Sequence, residues 1–363
     1  MIMRKLLFVY NPKSGKGLIR AHLSAILETF SGAGYDITVY PTKEAMDGCN
    51  LVTQRASEFD LIACSGGDGT LDEVVTGIMH SGVKRTVGYI PAGSTNDFAT
   101  SISIPRHMEH AARLIVEGQP FACDIGRFND DYFVYVAAFG FMTDVSYQTN
   151  QELKNVLGHA AYLVEGMKRM GTWKSYFLKV ESEEVTDEGE FVFGMITNSN
   201  SVGGFKGLPG KNIELNDGLF EVMLVRAPQN LVDWQEIITA VLVPSETNRN
   251  VVRFKTRKLV ISSEEPIAWT RDGENGGEHT RVELENLKQV LEIMTDMDSG
   301  TTENQDKKEL DEPEEQRPVL PEVMETYESA GLQGRRSVGT IEEIVTEILT
   351  KLEILPAECP ENI

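Results

Sequence analysis

The stretch Phe59-Asp60-Leu61-Ile62-Ala63-Cys64-Ser65-Gly66-Gly67-Asp68-Gly69-Thr70-Leu71-Asp72-Glu73-Val74-Val75 decides how this chain folds. Its apolar run, Leu61 to Cys64, is short and bounded by turn residues, which suits a buried strand. From Leu71 the period changes: Leu71, Val74, Val75, Ile78 and Met79 fall on one face of a helix. Between strand and helix lie Gly66, Gly67, Asp68 and Gly69. Glycine permits positive φ and lets another group approach the backbone closely. The helix that follows points free N–H groups and its positive dipole end at the loop, which makes an anion site suited to phosphate. Asp68 adds a carboxylate where a metal, or a metal carried by phosphate, needs oxygen ligands. The chain has no G-x-x-x-x-G-K-[ST], so this is not the P-loop.

Outward from that stretch, strand, loop and helix alternate. Lys5 to Tyr10 reads as a strand, followed by the loop Asn11-Pro12-Lys13-Ser14-Gly15 and a helix with Leu23, Ile26, Leu27 and Phe30 on one face. Ile37 to Tyr40 makes the next strand, closed by Pro41-Thr42-Lys43, and a helix around Leu51 to Ser57 leads back to the central strand. Thr86 to Ile90 is a further strand that ends in Pro91-Ala92-Gly93-Ser94-Thr95-Asn96-Asp97, with a helix over His107 to Glu117 beyond. This alternation predicts a doubly wound α/β domain with a mostly parallel sheet. Ligands bind at the carboxyl ends of such strands, so the three polar loops converge on one crevice.

After about Cys123 the texture changes. Asp131 to Phe139 alternates as a strand, and 157–170 has a helical pattern. Strand-like runs follow at Tyr176–Glu181, Phe191–Thr197, Leu219–Val225, Arg253–Ser262 and Ile267–Thr270, separated by glycine, proline and asparagine turns. They predict an all-β second domain, a sandwich or barrel. The expected domains are 1–128 (α/β), 129–297 (a β-sandwich whose last strand, Gln289–Met294, returns to the first domain) and 298–363. That last segment is acidic and poor in large apolar residues, so it is expected to be mostly disordered. Its terminal helical stripe, Ile341, Ile344, Val345, Ile348, Leu349 and Leu352, suits docking on the chain's own body or on an unknown partner.

Composition narrows the function. An apolar share of 41% over 363 residues is ample for globular cores. The net charge of −22 argues against nucleic acid and against broad attachment to anionic membranes. Cys49, Cys64, Cys123 and Cys359 are scattered, as expected for free thiols in a cytosolic protein. No apolar run is long enough to span a bilayer, so a cytoplasmic protein is expected. Arg249, Arg253, Lys255, Arg257 and Lys258 form the densest basic stretch, either a solvated strand face or a local patch for a membrane surface. Ala137-Ala138-Phe139-Gly140-Phe141-Met142 and Val202-Gly203-Gly204-Phe205 are candidates for an apolar groove, or else core and turn. The Asp-Gly dipeptides of Asp217-Gly218 and Asp272-Gly273 are, taken singly, ordinary hairpin chemistry.

Over residues 4 to about 296 the chain resembles the bacterial soluble diacylglycerol kinase family, kin to the sphingosine and ceramide kinases. Four signatures recur in order: Asn11-Pro12-Lys13-Ser14-Gly15, Gly66-Gly67-Asp68-Gly69-Thr70, Pro91-Ala92-Gly93-Ser94-Thr95-Asn96-Asp97 and Asp272-Gly273-Glu274. The second is shared with NAD kinases; the four together are specific for the lipid-kinase group. The resemblance implies an ATP site between two domains, with Asn11, Pro12, Lys13, Ser14, Gly15, Thr42, Gly66, Gly67, Asp68, Gly69, Thr70, Ser94, Asn96 and Asp97 as ATP-binding residues. It implies magnesium (Mg2+) placed by Asp68, Asp272 as catalytic base and Glu274 as its acidic helper. It further implies a structural magnesium held by the Asp217 carboxylate and the carbonyls of Glu214 and Leu219. Two residues depart from the family pattern: Ser94 replaces a threonine, and Asp72 replaces a common asparagine.

The function implied is an ATP-dependent lipid kinase that makes phosphatidic acid from diacylglycerol, cytoplasmic and transiently peripheral at the membrane. A homodimer is left open. The alternatives are a kinase of another acceptor (a sphingoid base, a polyprenol or NAD) and a non-catalytic ATP- or lipid-sensing regulator. The Asp272-Gly273-Glu274 turn and the Asn96-Asp97 pair argue against NAD.

Overall fold

In a computed structural model the described residues are 3–15, 17–140, 174–203, 205–206, 213–230, 232–233, 236–237, 240 and 248–296. The helix expected over 157–170 and the whole of 298–363 lie outside them. The chain begins with β1 (Arg4–Tyr10), α1 (Ile19–Gly32), β2 (Tyr35–Pro41), α2 (Asp47–Arg55), β3 (Leu61–Gly66), α3 (Asp68–Ser81) and β4 (Thr86–Pro91). Two helices follow, α4 (Asp97–Ser101) and α5 (Met108–Glu117), and then β5 (Gln119–Phe128), β6 (Asp131–Phe133) and β7 (Val136–Gly140). Next come β8 (Tyr176–Ser182), β9 (Thr186–Thr197) and the small hairpin of β10 (Ser201–Val202) and β11 (Phe205–Lys206). The last strands are β12 (Phe220–Arg226), β13 (Val251–Thr256), β14 (Lys258–Arg271) and β15 (Glu274–Thr295).

β2, β1, β3 and β4 lie side by side, all parallel, and their ends are aligned. Tyr10 is opposite both Pro41 and Ser65, and Gly66 is opposite Pro91. Leu61 to Gly66 is buried along its whole length, as a strand covered by helices on both faces must be. α3 begins at Asp68 with Gly67 as its N-cap residue and stops at Gly82, whose left-handed conformation closes the last turn. α2 starts at Asp47, earlier than the apolar period alone suggests. The Glu73 carboxylate of α3 accepts the N–H groups of Met46 and Gly48 at 2.8 and 3.0 Å and so caps α2 from outside.

The two halves form one sheet. β15 pairs antiparallel with β14 over Glu274–Glu285, antiparallel with β5 over Leu284–Thr295, and parallel with β4 at Glu292 and Ile293. β7 and β8 lie end to end between β9 and β14. The antiparallel strands curl until β6 meets β12: the Phe133 and Phe220 rings stack with centroids 5.6 Å apart. Inside the curl is a second core that includes Phe139, Phe191, Ile261 and Trp269, separate from the main core beneath the helices.

The run expected as one strand over Asp131–Phe139 is two strands, split at Val134 and Tyr135, and that over Arg253–Ser262 is split at Arg257. The expected terminal strand Gln289–Met294 is the end of a strand of 22 residues. Ala137 and Phe139 belong to the second core and Ala138 to the main one, so these residues are interior and line no open groove. The second core depends on Phe133 bridging the ends of the curl. Phe133→Ala should therefore cost about 3–5 kcal/mol in urea unfolding, and a loss below about 1 kcal/mol would show that β6 and β12 are held together by something else.

Candidate active site

Because the parallel strands end in line, their loops meet at one edge of the sheet. The Asn11 N–H donates to the Ser65 carbonyl at 2.9 Å, and Asn11 Oδ1 accepts the Lys13 N–H at 2.9 Å. That turn presents Ser14, whose hydroxyl oxygen accepts the Gly67 N–H at 3.0 Å. Thr42 closes on the same edge, its N–H donating to the Tyr10 carbonyl at 2.9 Å. The second and third glycine loops touch: a methyl group on Gly93 would stand 2.7 Å from the Gly67 Cα and 2.8 Å from Asn96 Oδ1. Asn96, left-handed at φ 54°, grips Gly93 from both sides, accepting its N–H at 2.8 Å and donating to its carbonyl at 3.0 Å. Its amide therefore shapes the loop, while Ser94 stays exposed.

Asp68 is the first residue of α3, and its carboxylate reaches across to the third loop. It accepts the Thr95 hydroxyl at 3.3 Å and the N–H groups of Asp97 and Phe98 at 3.2 and 3.4 Å. Burial first, then the charge of Asp97, push its carboxyl up to about 6. Asp97 is buried, and its Oδ1 accepts the Ser201 hydroxyl at 2.6 Å. No side chain caps α3, which leaves its leading N–H groups to an external acceptor.

Asp272 stands at the tip of the β14–β15 turn, left-handed at φ 48° and buried. Its Oδ2 accepts the Val134 N–H at 2.5 Å, and its Oδ1 accepts the N–H groups of Tyr135 and Val136, each at 2.9 Å. Those amides are the reason β6 and β7 are interrupted: they serve a carboxylate instead of a neighbouring strand. Burial raises the Asp272 pKa against the pull of these three hydrogen bonds. Two residues on, Glu274 Oε1 lies 3.2 Å from where a Cβ of Gly69 would be. The structure thus seats the Asp272-Gly273-Glu274 turn directly on the Gly66–Thr70 loop.

The chemistry of the donors differs between the two expected metal positions. Beside Asp68 the charges of Asp97 and Asp272 raise its carboxyl, so the crevice carries excess negative charge that a divalent cation would offset. The residues around Asp217 do not fit a resident metal. Asp217 Oδ1 accepts the Leu219 N–H at 2.8 Å, its Oδ2 faces the Lys255 ammonium at 3.4 Å, and the Lys288 ammonium donates to its carbonyl at 3.2 Å. Among the described residues no group of three or more His, Cys, Asp or Glu side chains is arranged to hold a metal.

The basic stretch is not a free patch. Arg249 pairs with Asp233 and Glu236, Lys255 with Asp217 and Glu221, and Arg257 and Lys258 both approach Glu285. Arg253 donates to the Ala240 carbonyl. Among the described residues no helix is long and apolar enough to cross a membrane. Several site groups left no mark in the sequence reading. The Val134–Val136 amides are backbone, and Ser199 and Ser201 are common residues that bond Ser101 and Asp97 from a remote hairpin.

Glycine loops around an uncapped helix end, closed by an acidic turn from the other half of the sheet, define a phosphotransferase site. A diacylglycerol kinase catalytic domain matches residues 5–128. The diacylglycerol kinase of Bacillus subtilis (strain 168) is 34% identical over 278 residues, covering 76% of this chain and 91% of the relative. That of Staphylococcus carnosus (strain TM300) is 33% identical over 298 residues, 81% of this chain and 96% of the relative. The chain belongs to the diacylglycerol kinase family and is a lipid kinase. A crystal structure of a diacylglycerol kinase from Bacillus anthracis str. Sterne shares the fold, with TM-score 0.63 at 22% identity, covering 81% of this chain and 98% of that one.

The Gly67–Gly93 contact is where the second and third loops press together, backbone to backbone. Gly93→Ala should lower the melting temperature and speed amide exchange in both glycine loops. Gly32→Ala, in α1 with nothing within 4 Å of the added methyl, should leave stability equal or raise it by up to about 1 kcal/mol. Equal melting curves for the two variants would refute the contact.

Proposed function

We propose that this chain phosphorylates the free hydroxyl of diacylglycerol with ATP, giving phosphatidic acid and ADP. The observation that carries this reading is the seating of Glu274 on Gly69, which sets the Asp272 turn over the glycine loop. In this reading residues 1–128 are the nucleotide domain and 129–297, expected as a β-sandwich but built as a curled continuation of the same sheet, the domain for the lipid. Asn11 to Gly15, Thr42, Gly66 to Thr70 and Ser94 hold the nucleotide; Asn96 and Asp97 shape the loop beside it. A magnesium ion bound with ATP beside Asp68 would neutralise charge on the phosphates.

The hydroxyl oxygen of the lipid attacks the γ-phosphorus as the bond from that phosphorus to the β-phosphate bridging oxygen breaks. The hydroxyl proton passes to the Asp272 carboxylate and from there to solvent, and the electron pair of the broken bond leaves on ADP. Backbone N–H groups at the start of α3 hold phosphate oxygens through the transfer. The protein works in the cytoplasm and meets its substrate at the membrane surface.

Turnover with radiolabelled ATP and a panel of diacylglycerol, sphingoid base, polyprenol and NAD tests the acceptor. Label in diacylglycerol alone is expected; label in NAD, or in none, would sink the proposal. Asp272→Asn should lower kcat by about 10²–10⁴-fold with ATP binding retained. Loss of ATP binding in proportion to rate would move Asp272 from base to nucleotide ligand.

A further inference from the structure

The carboxylates around the Asp217 turn have their own cation. Glu221 on β12 stands directly opposite Lys255 on β13, so their side chains share one face of the sheet. The Lys255 ammonium lies 2.9 Å from Glu221 Oε1 and 3.4 Å from Asp217 Oδ2, between a carboxylate of the strand and one of the turn before it. Glu221 is buried, and among the described residues no further donor serves either of its oxygens. A buried carboxylate without a counter-charge is costly, so this ammonium is what lets Glu221 ionise there. Three successive carbonyls of the turn are also occupied. That of Leu215 accepts the Asp124 N–H at 2.9 Å, that of Asn216 the Gln289 side-chain amide at 3.1 Å, and that of Asp217 the Lys288 ammonium at 3.2 Å.

We infer that the Lys255 ammonium is the resident cation of this turn, in the place where the family resemblance puts a structural magnesium, and that the turn needs no divalent metal. Its position suits that task. A divalent cation joins carboxylates by drawing their oxygens to one centre. Lys255 draws Asp217 and Glu221 together in the same way, from a neighbouring strand whose register fixes its stem. Lys288 adds a second ammonium from β15. The consequence reaches the active site. The Gly218 N–H donates to Asp124 Oδ2 at 2.6 Å, and Asp124 Oδ1 accepts the Gln289 N–H at 2.7 Å. Lys255, the turn, Asp124 and residues 288–289 thus form one chain of contacts. It ends on the strand that begins with Glu274 beside Gly69. A covalently attached cation holds that chain together whatever the metal content of the solution.

Thermal unfolding without nucleotide tests this, run at a pH above the value of about 7 to which burial pushes the Glu221 carboxyl. Wild type should melt at the same temperature in EDTA and in millimolar magnesium or calcium chloride. Lys255→Met keeps the apolar stem and removes the charge. In EDTA it should melt about 2–4 °C lower than wild type, with faster amide exchange at Gln289. Millimolar magnesium or calcium should recover most of that loss, because Asp217 and Glu221 then face each other without a cation. Lys255→Arg, which keeps the charge, should stay indifferent to metal, and adding Asp217→Asn to Lys255→Met should abolish the metal response. A wild type destabilised by EDTA, or a Lys255→Met that melts as wild type in EDTA, would overturn the inference. A metal response of equal size in both proteins would do the same. So would a lowered melting temperature that neither metal recovers, since Lys255 would then be an ordinary ion pair and no stand-in for a metal.

Discussion

One bent strand ties the molecule together. β15 carries Glu274 at its start and joins β4 at Glu292, so the acidic turn and the parallel sheet are parts of a single rigid register. The bend is at Gln289, left-handed at φ 53°, where pairing with β5 breaks between Leu287 and Leu291. A buried carboxylate holds it: Asp124 Oδ1 accepts the Gln289 N–H at 2.7 Å, and Asp124 Oδ2 accepts the Gly218 N–H at 2.6 Å. Non-glycine residues resist that backbone conformation, and the charge-assisted hydrogen bond offsets its cost. The placement of Asp272 beside the glycine loop rests on this remote anchor.

The same device recurs across the site. Asp68, Glu73, Asp124 and Asp272 each use a carboxylate to collect backbone N–H groups that no strand or helix satisfies. Irregular loops stay ordered this way without large apolar side chains, which leaves room beside the glycines. The consequence is electrostatic. Asp68, Asp72, Asp97, Asp272 and Glu274 gather in one crevice, and burial makes the charges of Asp68 and Asp272 harder to hold. Asp68 at about 6 and the raised Asp272 are the visible result.

The parallel half was legible because its strands are short apolar runs between glycine and proline loops, and its helices keep a clean period. The antiparallel half was legible only as strands. Glu274 to Glu285 is half-exposed and rich in charge, so no apolar pattern marks it, and β15 was read as its last third. Register and order there follow from bulges and from the Asp124 anchor, which join positions up to 165 residues apart. The site's acidic residues were visible as motif positions. The amides of Val134, Tyr135 and Val136 were not, since a backbone donor has no letter of its own, and Asp72 was visible only as a departure from pattern.

The two Asp-Gly turns show where sequence reading stops. Asp217-Gly218 and Asp272-Gly273 are the same dipeptide, and each glycine is left-handed, at φ 87° and 84°. At Asp217 the carboxylate serves its own turn: it takes the Leu219 N–H two residues on and faces the Lys255 ammonium, so its charge is matched locally. At Asp272 the aspartate itself is left-handed, points away from its own turn and takes N–H groups from 136 to 138 residues earlier in the chain. One carboxylate completes a hairpin; the other is carried into a buried crevice. Chemical role here is set by what the rest of the sheet brings to face the dipeptide, and that information lies in the curl of the antiparallel strands.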